Sequence, residues 1–393
     1  MTEQEHSNVQ WRKVKLGDCL KQKPDYGINA PAVPYDNNLP TYLRITDITE
    51  DGRYSKKDVV SVANPDALKY VLEEGDLVFA RTGASVGKTY LYDSKDGMLV
   101  FAGFLIRVKT DENILLPEFF KYQTHTPRYK NWISANSMRT GQPGINGNEY
   151  EEFTFSIPFK NNKPDLAEQR RIAAILSSAD KVIAATQKTI AKYKQIKQGM
   201  MEELLKPKEG WKMVKLGEVG KISMCKRVFS FETSTEGDIP FYKIGTFGKD
   251  ADAFISRQLY EEYKSKFSYP KVGDILISAS GTIGRTVVYD GEPAYFQDSN
   301  IIWIDNDETI VLNQFLYYQY QIISWNLEGS TIARLYNDNF NKIEITIPDL
   351  PEQRRIAAIL SGIDAKIAAE EKVLEKYEKV KKGLMERLMG EEE

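Results

Sequence analysis

Two stretches of the chain carry the same apolar rhythm. In the first, Ile172, Ala179, Thr186, Tyr193 and Met200 recur every seven residues, with Leu176, Ile183 and Ile190 four further on. In the second, Ile356, Ile363, Glu370, Tyr377 and Leu384 form the series, with Leu360, Ile367 and Leu374 beside it. Such a stripe, imperfect here at Thr186 and Glu370, belongs to a helix that buries one seam against another helix. Both stretches open on the same ten residues, EQRRIAAILS, at Glu168–Ser177 and again at Glu352–Ser361. Asp165 and Asp349 stand three residues before the glutamates, so each copy begins with an Asp-x-x-Glu capping box. The pattern predicts helices from about Leu166 to Leu205 and from Leu350 to Leu388, each roughly 60 Å long at 1.5 Å per residue. The first leads through a short break, Lys206 to Gly210, into the segment from which the second departs. The two can share a seam only by running antiparallel.

Outside these stretches the period shortens to that of strands. Gly75 to Asp93 reads GDLVFARTGASVGKTYLYD, and Gly273 to Asp290 reads GDILISASGTIGRTVVYD. Each predicts a strand, a glycine turn and a second strand. A matched aromatic helix follows, LPEFFKYQ ending at Gln123 and LNQFLYYQ ending at Gln319, with Phe119, Phe120, Tyr122, Phe315, Tyr317 and Tyr318 as core candidates. Matched openings stand at Trp11 (WRKVKLG) and Trp211 (WKMVKLG), and matched closings at Ile157-Pro158 and Ile347-Pro348. The expected fold is mixed α/β (α+β) with an internal pseudo-two-fold repeat. Its parts are globular units over residues 1–160 and 211–348 and spacer helices over 165–206 and 349–390. The helices match closely, whereas the loops have diverged: Ser137–Asn146 reads SMRTGQPGIN where Ser330–Asn337 reads STIARLYN.

Composition narrows the function classes. The 393 residues carry 53 Lys+Arg against 56 Asp+Glu, a net charge of −3, which argues against a wholesale basic wrap around nucleic acid and leaves room for local basic patches. No run of 18 apolar residues predicts a membrane span, and the polar N-terminus lacks a secretory core, so a cytoplasmic protein is expected. Two cysteines and two histidines, scattered, make a zinc site improbable.

The catalytic motifs fail one by one. GASVGKT at Gly83–Thr89 has three residues between its glycines where a phosphate loop needs four, and the second copy, GTIGRT, has two. Asp349 with Glu370-x-Lys372 has a nuclease-like spacing, but Asp349 caps a helix and the other two lie within it. No Pro-Pro exists for a base-methylating motif, and no Gly-x-Gly-x-x-Gly precedes a helix. Two polar sets remain as DNA contacts, with solvated loops and ordinary hairpin turns as the alternative. The glycine turns offer Arg81, Thr82, Gly83 and Lys88, and in the second half Ser280, Gly281 and Arg285. The loops after the aromatic helix offer Arg139, Thr140 and Gln142, and Arg334, Tyr336 and Asn337. Arg, Gln and Asn are the side chains that pair bidentately with purine edges. On the helices, Glu168, Gln169, Arg170 and Arg171, repeated as Glu352, Gln353, Arg354 and Arg355, are expected to serve the frame and a partner surface.

The duplicated EQRRIAAIL blocks, the W-x-x-V-K-L-G openings and the paired Gly-Asp segments together resemble the specificity subunit of type I restriction-modification systems, over nearly the whole chain from Trp11 to Met389. The resemblance implies two target-recognition domains held by an antiparallel coiled coil, each reading one part of a split double-stranded DNA target. It implies no catalysis by this chain and no cofactor bound to it. S-adenosylmethionine, ATP and Mg are expected on the partners, methyltransferase subunits (two of them) and restriction subunits. A coiled-coil scaffold without a DNA role and a self-contained DNA-modifying enzyme are the competing readings.

Overall fold

The computed structural model describes residues 9–139, 141–325 and 337–390. Two compact units emerge, one of residues 1–187 with 372–393 and one of residues 188–371. Each takes part of both long helices, Leu166–Leu204 and Leu350–Leu388, of 39 residues each.

The first unit begins and ends on neighbouring strands. Gln10–Lys15 pairs antiparallel with Thr154–Lys160, placing Trp11 opposite Pro158. Between them lie two four-stranded sheets. One runs in the order Asp25–Tyr26, Leu105–Val108, Leu77–Ala80, Thr89–Leu91, all antiparallel. The other runs Ala32–Pro34, Val60–Val62, Thr41–Leu43, Leu99–Phe101, its last pair parallel. The second unit repeats this topology. Lys212–Lys215 pairs with Glu344–Ile347, and one sheet runs Gly220–Ser223, Ile301–Asn306, Ile275–Ser278, Thr286–Val288. The other runs Thr233–Ser234, Phe254–Ile255, Ile239–Tyr242, Tyr295–Phe296, again with a parallel last pair. The apolar strands Leu77–Ala80 and Ile275–Ser278 are buried along their whole length, which is why they read as continuous runs without alternation.

The aromatic helices, Pro117–Gln123 and Asn313–Ile322, fill the cores as expected. Phe119, Phe120 and Phe315 have no exposed surface, and Tyr122 and Tyr318 are nearly buried. Tyr317 is the exception and stays partly exposed.

Both long helices start where the capping boxes predict, with the aspartate half of each box formed and the glutamates turned to Arg171 and Arg355. Asp165 Oδ1 accepts from Glu168 N at 3.1 Å, and Asp349 Oδ1 from Glu352 N at 3.0 Å. The antiparallel seam is visible inside each unit. In the first, Ile172, Ala173 and Leu176 share a core with Leu384, Met385, Leu388 and Met389, while Asp180 meets Lys381. In the second, Met201 and Leu205 share a core with Ile356, Ala357 and Leu360, while Lys197 meets Asp364. Thr186 is tolerated in the seam because its hydroxyl donates to the Val182 carbonyl at 3.0 Å, leaving its methyl to pack. The second helix is less covered late in its course, where Val373, Tyr377 and Val380 are exposed. Among the described residues no helix is long and apolar enough to cross a membrane.

Candidate functional site

In the first unit the glycine turn joins the antiparallel strands Leu77–Ala80 and Thr89–Leu91 through a three-residue 3-10 turn, Gly83–Ser85. A phosphate loop needs a strand leading into an α-helix, so topology removes that reading as spacing did. The turn is instead zipped to the second candidate loop. Ile145 N donates to the Arg81 carbonyl at 2.9 Å, Gly83 N donates to the Pro143 carbonyl at 3.0 Å, and Thr82 bridges to Gly144. Gly83 has φ +68°, and a Cβ there would stand 2.8 Å from Gln142 Nε2. The consecutive residues Arg81, Thr82 and Gly83 are thus joined to the loop that carries Gln142, far away in sequence. Arg139 stands beside Gln142 in sequence but is already occupied. Its guanidinium holds Glu149 at 2.5 Å and the carbonyls of Asn136 and Met138, which makes it a brace of the loop. Lys88 is not brought into the group; it pairs with Glu50 at 2.7 Å and lines a different cleft with His125 and Tyr129. Thr140 lies outside the described residues.

The second unit arranges its turn differently. Ser280 Oγ and Asn300 Oδ1 are 2.8 Å apart, and Ala279 N donates to the Asn300 carbonyl. Gly281 takes φ +65°. Arg285 donates through one guanidinium nitrogen to the Phe247 carbonyl at 2.8 Å, tying the turn to the loop after strand Ile239–Tyr242. A neighbouring cleft of about 460 Å³ is lined by Arg227, Phe229, Lys243, Gln297 and Asn300 among others. Gln297 and Asn300 escaped the sequence reading. Their signal was the short polar run QDSN between two buried strands, where Ser299 adopts φ +60°. Arg334, Tyr336 and the side chain of Asn337 lie outside the described residues. Among those described, no group of three or more His, Cys, Asp or Glu is placed to hold a metal ion.

The repeated helix residues divide into two kinds. Gln169 and Gln353 have no exposed surface, so of the frame and partner-surface roles expected for the block theirs is the frame. Gln169 Oε1 accepts from Leu116 N at 2.9 Å, and its Nε2 donates to the Ile114 carbonyl at 2.9 Å. Gln353 does the same with Leu312 N and the Ile310 carbonyl. Both glutamines clamp the approach to the aromatic helix onto the frame. Arg171 and Arg355 grip Glu168 and Glu352 bidentately, at 2.6–2.7 Å. Arg170 and Arg354 point into solvent and stay available to a partner.

A second matched device went unseen in the sequence. Tyr122 donates to Asp180 at 2.8 Å, and Asp180 pairs with Lys381 at 2.6 Å. Tyr318 donates to Asp364 at 2.8 Å, and Asp364 pairs with Lys197 at 2.7 Å. Each triad fastens an aromatic helix to one long helix and that helix to the other. Burial raises the Asp180 carboxyl, yet the Lys381 ammonium and the Tyr122 hydroxyl outweigh it and hold the group below its ordinary value. A depressed folded value means stability that is present above the unfolded carboxylate pKa, about 3.9, and is lost as pH falls through the folded one. Asp180 and Lys381 are each about one-fifth exposed. Their pair is therefore placed between surface and fully buried pairs, and Lys381→Met is expected to cost about 1–2 kcal/mol at pH 7 and progressively less as pH falls below the ordinary carboxylate range. Urea unfolding of Lys381→Met, Asp180→Asn and the double variant checks this. Additive losses would refute the lock.

Comparison with known proteins places this geometry. The family model described as "Type I restriction modification DNA specificity domain" matches residues 8–195 and 208–379. A putative type I restriction enzyme specificity subunit of Haemophilus influenzae is 62% identical over 164 residues, 42% of this chain and 43% of that protein, so this match spans less than half of the relative. The MjaVIII specificity subunit of Methanocaldococcus jannaschii is 27% identical over 96% of this chain and 92% of its own length. Among solved structures, the type I restriction-modification S subunit of M. genitalium superposes with TM-score 0.67 at 18% identity, covering 99% of this chain and 98% of that one. At that identity the likeness shows the fold.

Proposed function

The chain belongs to the type I restriction-modification DNA specificity family, and from that premise we propose that it reads a bipartite double-stranded DNA target, one part with each unit. Specificity subunits are the non-catalytic DNA-recognition components of their systems. The observation that carries the split reading is the contrast between scaffold and loops. Strand order, capping aspartates, clamping glutamines and Tyr-Asp-Lys triads are duplicated. The turn that offers Arg81 and Gln142 in one unit offers Ser280 and Asn300 in the other. Duplication of the support with divergence of the reader is what two half-sites of different sequence require. The paired long helices act as spacer, and their exposed residues, Arg170 and Arg354 among them, dock two methyltransferase subunits. Restriction subunits join that complex. S-adenosylmethionine, ATP and Mg belong to those partners, and the assembly works in the cytoplasm on a base flipped out of the duplex.

The test is methylome sequencing of cells that express this chain with its methyltransferase partner. The expected result is a motif of two defined parts separated by bases of any identity. A single continuous motif would refute the split reading, and no methylation at all would favour a scaffold.

A further inference from the structure

Within the first unit, Arg81 stands apart from the other candidate cations. Lys88 is paired with Glu50, Arg139 with Glu149, and in the second unit Arg285 is held by the Phe247 carbonyl. Among the described residues no carboxylate pairs with Arg81. Its guanidinium lies instead over the ring of Tyr26, 4.9 Å from the centroid. The backbone beneath it is fixed on both sides: Arg81 N donates to the Phe104 carbonyl at 3.0 Å, and the Arg81 carbonyl accepts from Ile145 N. Tyr26 is fixed as well. Its hydroxyl accepts from Gly147 N at 3.0 Å, and the adjacent Asp25 clamps Arg107 bidentately at 3.0 and 2.6 Å. Tyr26 is nevertheless 39% exposed, so the stack lies at the surface.

The second unit supplies the comparison. Aligned on Gly75-Asp76 and Gly273-Asp274, Arg81 corresponds to Ala279, which is 1% exposed. In the first unit Tyr26 pairs with Ile106, and Ile106 with Phe79. In the second, Ile277 pairs with Ile302, and Ser223 with Trp303. Continuing that register by one residue puts Met224 where Tyr26 stands. The scaffold is shared, and both members of the stack are unique to the first unit. A contact to a DNA phosphate needs only charge and tolerates a mobile side chain. A base reader must present a planar fork at a fixed angle, and stacking on an aromatic ring provides that.

We propose that Arg81, oriented by Tyr26, is a specificity-determining residue that reads a guanine in the half-site of the first unit. Gln142 lies against Gly83 of the same turn. The assignment rests on the bipartite DNA reading above and deepens it. Tyr26 is a positioning residue: it acts through Arg81.

The test uses the full chain with its methyltransferase partner. Wild-type methylome sequencing first defines the motif; if it has no two parts, the underlying reading fails. Given a two-part motif, Arg81→Ala and Arg81→Lys should each relax one guanine in one half, with discrimination there falling roughly 5- to 100-fold and the other half unchanged. Tyr26→Leu should weaken the same position, and Tyr26→Phe, which keeps the ring and loses only the tie to Gly147 N, should weaken it less. If Arg81→Ala abolishes methylation, binding of the complex to oligonucleotides gives the answer: changing that guanine should weaken wild type and leave Arg81→Ala indifferent. A two-part motif unaltered by the Arg81 variants overturns this assignment alone. So does a uniform loss of affinity with every base preference intact, the signature of a phosphate contact.

Discussion

Replacing residues 11–158 by the matching segment of a specificity subunit with another target is expected to rewrite one half of the methylated motif and leave the other half intact. The basis is how the chain enters and leaves the unit. Gln10–Lys15 and Thr154–Lys160 pair along six residues, so entry and exit lie side by side and everything between them closes on itself. A replacement needs only the same strand pair to join the frame. The frame asks little more of its cargo. Gln169 grips backbone groups of Ile114 and Leu116, a demand that any sequence with the same local backbone meets. Two side chains must be retained. Tyr122 carries the hydroxyl bound by Asp180, and Trp11 packs so closely on Gly390 that a Cβ there would sit 2.3 Å from its ring. A donor that keeps a tryptophan at the opening and a tyrosine in the aromatic helix should therefore fold in place. Methylome sequencing reads the outcome. A change in both halves, or in neither, would contradict the assignment of one half-site to each unit.

The frame was legible because its signals are local. Heptad spacing, an aspartate three residues before a glutamate and a glycine between apolar runs each depend on residues a few positions apart, and the structure places helices and hairpins where they predict. Devices that join distant residues were hidden. Asp180 and Lys381 are 201 residues apart and look like ordinary surface charges; only the repeat, with Asp364 and Lys197 at the matching offset, could have exposed them. The parallel pairing of Thr41–Leu43 with Leu99–Phe101 left no trace for the same reason. At the reading surface, residue types were identified and their association was not. Arg81 and Gln142 stand out in the sequence by their hydrogen-bonding groups, but the bonds that unite their loops are between backbone atoms and carry no sequence signature. Gln169 and Gln353 belong to the frame, but their burial is not legible because glutamine is usually exposed. Here the amide substitutes for a missing backbone partner, a demand set by a segment some 50 residues away.

That substitution makes Gln169→Leu, with its counterpart Gln353→Leu, the most damaging kind of single change expected in the frame. Leucine nearly preserves the volume of the side chain, so the loss isolates the hydrogen bonds from packing. Leu116 N would be left buried, and the Ile114 carbonyl partly buried, without the partner each now has. An unsatisfied buried backbone group costs about 1–3 kcal/mol, so the pair is expected to cost about 1–4 kcal/mol, the partly exposed Ile114 carbonyl adding less than Leu116 N. A domain's whole stability is about 5–15 kcal/mol, so the first unit would be left marginal. Gln353→Leu should cost at least as much, because Gln353 also donates to the Pro348 carbonyl at 2.9 Å. The two sites belong to different units, and their effects should add to within about 0.5 kcal/mol. Urea unfolding followed by tryptophan fluorescence measures each, and a loss under about 0.5 kcal/mol would show that the clamps are dispensable. A second readout separates clamp from reader. At a temperature where Gln169→Leu stays folded, its complex should methylate the wild-type motif, since a residue with no exposed surface has no base to contact. An altered base in that motif would mean that the clamp also shapes the reading surface, and the division between constant frame and variable reader would fall.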